Sequence, residues 1–184
     1  MRHSYTLLMT IDINEITQGL PGLSKVSGQH LYESCVVCLS RHTHSNLGTG
    51  FNVYGDNEIN YDLIWNNIFN EQLDRTWADQ FYATEHGAVC LGILLALKLT
   101  DYTIIEKSAR KNGFDYWLGQ KGDILFQKKA RLEISGIFKG AVKDVNARYK
   151  VKVKQTNQSD SLNLPAYVGI VEFSNPTANF GVKK

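Results

Sequence analysis

The chain has 184 residues, of which 43% are hydrophobic and 21% charged, with a formal net charge of +2. That length suits one globular domain, and the near-neutral charge excludes steering of the whole chain onto a polyanion, so any nucleic-acid affinity has to reside in a local basic patch. No apolar run reaches the roughly 18 residues of a bilayer span, Thr10 and Asp12 interrupt what would be a signal-peptide core, and three cysteines, an odd number, suit reduced thiols. A soluble, cytoplasmic protein is the expectation.

Residues 4–13, "SYTLLMTIDI", carry apolar side chains at alternate positions and predict a strand. A Gly/Pro/Ser stretch follows, and Leu31, Cys35 and Cys38 then fall at i, i+4 and i+7, which predicts a helix over 29–41. A short strand around "TGFNVYG" and small helices around "YDLIWNNIF" complete an N-terminal extension over 1–82. Residues 83–100 are apolar on nearly every side at helical length and predict a central, covered helix. Three strand candidates come next, at 102–109, 114–119 and 130–137, separated by the turn-formers "RKNG" and "GQKGD". Over 141–156 Val142, Val145, Tyr149 and Val153 share one face, which favours a helix over the strand that "YKVKVK" alone would allow. A polar loop, a strand over 165–173 and a loop-like tail over 174–184 end the chain. The order from residue 83 is helix, three strands, helix, strand, which builds a mixed sheet flanked by helices, an α/β fold bordering on α+β.

Two of these strands each carry a carboxylate in an apolar setting: Asp115 in "GFDYWLG" and Glu133 in "ARLEISGI". Strand parity puts Asp115 on one face with Trp117, and Glu133 on one face with Lys129, Arg131 and Ser135. On neighbouring strands the two acids sit side by side, where they repel each other and protonate unless a cation lies between them. A hard divalent ion meets that demand, since magnesium takes one or two carboxylates plus waters and substrate phosphates. The plain alternative is a structural ion pair with Arg131 or Lys129.

With "GFDYW" and "LEIS" in this element order, residues 83–173 resemble the PD-(D/E)xK nuclease superfamily, whose core runs helix, three strands, helix, strand. The resemblance implies that Asp115 and Glu133 ligate Mg²⁺ or Mn²⁺, and that Glu85, on the first core helix, is the additional acid many members carry. One position departs from the pattern: where the family has a lysine two residues after the acid, this chain has Ser135. A serine brings no positive charge to a phosphoryl group, so either another cation reaches the site or the site is silent. Lys129 is the first choice, because its flexible amine can reach back along the strand, with Lys150 and Lys154 on the next helix as the others.

Lys143, Lys150 and Lys154 line one side of that helix, with Arg148 and Lys152 nearby, and such a row suits phosphate contacts as well as a solvated face. "CVVCLSRHTH" offers Cys35, Cys38, His42 and His44, but the spacing is too short for most structural zinc sites, and the cysteines extend the apolar stripe of their helix. Cys90 reads as a core residue. The expectation is therefore a restriction-endonuclease-like fold that hydrolyses DNA phosphodiester bonds with Mg²⁺ or Mn²⁺. The alternative keeps the fold without the chemistry, as a subunit that binds nucleic acid or assembles a larger complex, for example in bacterial anti-phage defence. A partner protein or a second copy of the chain fits either reading; a membrane fits neither.

Overall fold

The computed structural model describes residues 9–55 and 58–183. Its elements are β1 (Met9–Asp12), a 3₁₀ turn (Ile13–Gln18), α1 (Lys25–Arg41), β2 (Thr49–Tyr54), β3 (Ile59–Ile64), α2 (Glu71–Thr76) and α3 (Gln80–Leu99). They continue with β4 (Tyr102–Lys107), β5 (Tyr116–Gln120), β6 (Ala130–Ile137), α4 (Val142–Gln155), a second 3₁₀ turn (Thr156–Leu162), β7 (Ala166–Glu172) and β8 (Thr177–Val182). All eight strands join one mixed sheet in the order β1-β3-β2-β8-β7-β6-β5-β4. The fold is α/β: a mixed central sheet flanked by helices.

The expected order from the central helix onward is present. β4, β5 and β6 pair antiparallel, and α4 then crosses over so that β7 lies parallel to β6. Three expectations need correction. The first predicted strand starts within residues that lie outside the described ones, and its described part gives way to a 3₁₀ turn at Ile13. Small helices around 61–69 are replaced by β3, because Tyr61, Leu63 and Trp65 alternate inward with a period of two. The tail read as a loop contains β8, which fits between β2 and β7 and gains hydrogen-bonded partners on both sides.

Helices α1 and α3 pack together against one face of the sheet, with Leu31, Cys35 and Cys38 of α1 and Leu91, Leu94 and Leu95 of α3 in the same core as Leu132 and Ile134 of β6. α4 covers the opposite face through Val145 against Val168 and Ile170. These two strand residues stand beside Glu133 and Ser135 in the parallel register, so the β6 acid belongs to the α4 side. By length and composition α3 is apolar enough to cross a membrane, which a count of uninterrupted apolar residues misses because Glu85, His86 and Lys98 break the run. It is a core helix here, with 61% of its most apolar window buried.

How closely α3 approaches β6 is set by a glycine. A Cβ at Gly136 would fall 2.5 Å from the Thr84 carbonyl oxygen and 2.9 Å from the Ala88 Cβ, so only glycine lets the first turns of α3 lie directly on this strand. Thr84 immediately precedes Glu85, and the contact therefore fixes the height of the acid over the sheet. Gly136→Ala should destabilise the fold by about 1–3 kcal/mol through overpacking, read as a lower urea midpoint with an unchanged slope.

Candidate active site

β5 and β6 part company at Asp115. Their ladder runs to Tyr116 opposite Leu132, after which β6 continues to Ile137 without β5 beside it. The Asp115 backbone is still held, donating to the Leu132 carbonyl at 2.8 Å and accepting from Ser108 at 2.7 Å just beyond β4. Its side chain then takes over from the missing strand, with Oδ2 accepting from the Ile134 backbone N–H at 2.8 Å. An acid in the middle of apolar sequence is thus explained locally: it satisfies a backbone donor where a sheet forks.

The fork opens into a cavity of about 230 Å³ lined by Asp115, Glu133, Ser135 and Lys152, with Glu85 and His86 entering from α3. Glu133 is only 2% exposed, and the Asp115 carboxyl lies near enough for its charge to act on it. Glu133 Oε1 also accepts from Lys152 Nζ at 2.7 Å and from Gln155 Nε2 at 3.0 Å. Burial, and next the Asp115 charge, push the Glu133 carboxyl up to about 7, against the pull of Lys152. Burial raises Asp115 as well, while the Ile134 N–H and the Lys107 and Lys152 charges hold it back. Two carboxyls crowded at one fork favour holding a proton between them, which a cation bound there would displace.

The cation at Glu133 is Lys152 of α4, not Lys129. Lys129 is exposed ahead of β6 and does not line the cavity; four residues of strand, about 13 Å, separate it from Glu133, more than its side chain spans. Arg148, one turn before Lys152, donates to Ser135 Oγ at 3.2 Å. The strand position that lacks a lysine is therefore reached by a guanidinium from the helix above it. Arg148, Lys152 and Gln155 follow at i, i+4 and i+7, a spacing that sets three polar side chains on one helical face and is visible in the residues themselves.

The remaining candidates are distributed as follows. Glu85 is exposed at the cavity wall. Lys107, at the end of β4, lines the same cavity and places Nζ 4.6 Å from the centre of the Tyr116 ring. Lys143, Lys150 and Lys154 are all exposed, and at about 100° per residue they lie on roughly the opposite side of α4 from Lys152. Arg131 does not pair with Glu133; it is turned into the second 3₁₀ turn, bonding Thr156 O, Ser159 Oγ, Asp160 Oδ1 and Leu164 O. Glu172, also 2% exposed, is structural, since it accepts from the backbone of Gly140, Ser174 and Asn175. Cys35 and Cys38 are buried free thiols, while His42 and His44 bond the Phe138 and Phe173 carbonyls. Among the described residues no group of three or more His, Cys, Asp or Glu side chains is placed to hold a metal ion.

The raised Glu133 carboxyl has a consequence for stability. The folded chain holds this proton up to about pH 7, whereas an unfolded glutamate releases it near 4.5, so between these values the native state binds more protons and stability falls as pH rises. In a chelator-containing buffer the urea midpoint should decline across that window, and Glu133→Gln should flatten the decline; a midpoint that rises there would contradict the assignment. No family model, curated protein or solved structure matches the chain.

Proposed function

We propose that this protein is a divalent-metal-dependent nuclease that hydrolyses phosphodiester bonds in DNA at the β5/β6 fork. The observation that carries the reading is the pair of carboxyls at the fork, Glu133 buried and Asp115 half-buried, with Lys152 Nζ 2.7 Å from Glu133 Oε1. A purely structural acid pair would be left with a proton to share and a cavity beside it. The donor set suits Mg²⁺ or Mn²⁺, because a hard ion of this kind accepts two carboxylates and leaves its other positions to water and phosphate oxygens. Asp115 and Glu133 would hold the ion, which when bound would activate water and stabilise charge on phosphoryl oxygens.

The chain's own groups divide the remaining work. Ile134 fixes Asp115 through its backbone N–H, and Gln155 fixes Lys152, whose Nζ donates to Gln155 Oε1 at 3.0 Å as well as to Glu133. Held this way, Lys152 would supply beside Glu133 the positive charge that Ser135 lacks, to stabilise charge on a phosphoryl group or orient water. Arg148 adds a second charge on the same side. Glu85, on the cavity wall, is available to orient water.

The lysine row on the far side of α4 serves binding in this reading. A helix is about 10–12 Å across, so Lys143, Lys150 and Lys154 would meet phosphates away from the one being cut. The two sides of α4 should then separate in kinetics. Lys152→Ala should lower Mg²⁺-dependent cleavage at saturating DNA by about 100-fold or more, Asp115→Asn should abolish it, and Lys129→Ala should leave it intact. The Lys150→Ala/Lys154→Ala double variant should instead weaken binding across sequences and reduce its salt dependence, with little change in rate at saturation. Wild-type protein that binds DNA but cleaves nothing with either metal would overturn the nuclease reading in favour of a silent binding subunit.

A further inference from the structure

We propose that the aromatic group at the start of α3 is a stacking site for an unpaired nucleobase, so that the strand entering the fork is single-stranded. The inference deepens the nuclease reading by naming its substrate class, and it rests on that reading for the polynucleotide itself. Four rings form the group: His30 from α1, Trp77 just ahead of α3, and Tyr82 and His86 on its first turns. Trp77 anchors it, 3% exposed and donating from Nε1 to Glu33 Oε2 at 3.4 Å. Tyr82 lies over Trp77 with centroids 5.6 Å apart and planes 24° from parallel, and His86 approaches Tyr82 to 4.0 Å. His30 closes the group at 4.6 Å from Trp77 and 5.1 Å from His86.

A set of rings built only to fill the core would be covered. Here burial stops at Trp77, while Tyr82 remains 45% exposed and the adjacent Phe81 70% exposed. Tyr82 is also held in place: the Asp79 carboxylate caps its backbone N–H at 3.1 Å, and its carbonyl accepts from His86 Nδ1 at 2.9 Å. Half-exposed Tyr82 and, beside it, the more exposed Phe81 sit on a fixed backbone, which loses little freedom when a planar partner stacks on them.

The occupant is fixed by what lies next to the rings. His86 belongs both to the aromatic group and to the wall of the cavity that holds Asp115 and Glu133. Lys107 and Lys152 line that same cavity, and Arg148 bonds Ser135 on its wall. A ligand spanning both parts presents a flat apolar ring to Tyr82 and negative charge to the fork, which is the chemistry of a nucleotide unit in a polynucleotide. A base inside a duplex already has neighbours on both faces, so a protein ring stacks there only at a duplex end or after prising two base steps apart, whereas an unpaired base offers its face without that cost. Phe81 and Tyr82 carry one polar side-chain atom between them and so offer faces rather than the donors that read groove edges.

Binding is measured by fluorescence anisotropy on the intact chain, with Ca²⁺ replacing Mg²⁺ so that cleavage does not enter the readout. Three probes of equal length are compared: a labelled oligothymidylate, the same backbone without bases, and a duplex. The oligothymidylate should bind at least about 10-fold tighter than the abasic strand, in keeping with stacking of one base, and tighter than the duplex. Tyr82→Ala should remove most of that advantage, Tyr82→Trp should keep it, and neither should change affinity for the abasic strand. Thermal unfolding of each variant checks that the fold is intact, and Phe81→Ala, at a more exposed position, repeats the test if Tyr82→Ala unfolds. Equal affinity for the based and abasic strands, preference for duplex, or failure to bind any probe would overturn the proposal. Missing cleavage with base-dependent binding retained would sink the nuclease reading alone; cleavage retained without base dependence would sink this one alone.

Discussion

The bond from the Ile134 backbone N–H to Asp115 Oδ2 ties the sheet to its candidate chemistry. A strand that ends beside a longer neighbour leaves that neighbour's N–H groups without partners, and leaving such a donor buried costs about 1–3 kcal/mol. α3 covers β6 on one side and α4 on the other, and the Ile134 N–H lies between them. A carboxylate solves the problem at the fork, but it brings a negative charge into a site where Glu133 already stands. Backbone satisfaction and charge crowding thus have the same origin, and Lys152, Gln155 and Lys107 are arranged around the result.

The contrast between the two most buried acids makes the point sharper. Glu133 and Glu172 are equally hidden, yet Glu172 is surrounded by backbone N–H donors and Glu133 by another carboxyl, an amine and an amide. The first arrangement is complete in the protein alone, as caps and turns are. The second sets two carboxyls against lysines rather than backbone donors, an arrangement with room to exchange a proton for a cation.

Much of this is legible in the residues. Parity along "ARLEISGI" places Glu133 away from Leu132 and Ile134, because alternation in a strand depends only on backbone geometry; Asp115, expected within a strand over 114–119, lies one residue ahead of β5 and is brought to the fork by its backbone bonds to Leu132 and Ser108. Lys152 does not stand out in the same way, because the apolar residues Val145, Tyr149 and Val153 and the lysines Lys143, Lys150 and Lys154 already give α4 an inside and an outside. The third, obliquely inward face, with Arg148, Lys152 and Gln155, faces the fork, and the fork depends on where β5 ends. β8 is illegible for a related reason. "TANFGV" has weak alternation and a glycine, and it is a strand because β2 and β7 each offer it an unpaired edge.

That last placement governs the order in which the chain can fold. β2 reaches its partner across more than a hundred intervening residues, from Asn52 to Thr177, and β8 is the seam that joins β1, β2 and β3 to the other four strands. Until residues 177–182 are made and docked, β2 and β7 are open edges, and open edges pair readily with other chains. Non-local pairing of this kind is slow, because loop closure must precede any stabilising contact. The fork, built from segments closer together in sequence, can therefore form before the sheet is closed, and in that interval the open edges of β2 and β7 leave the chain prone to misassembly.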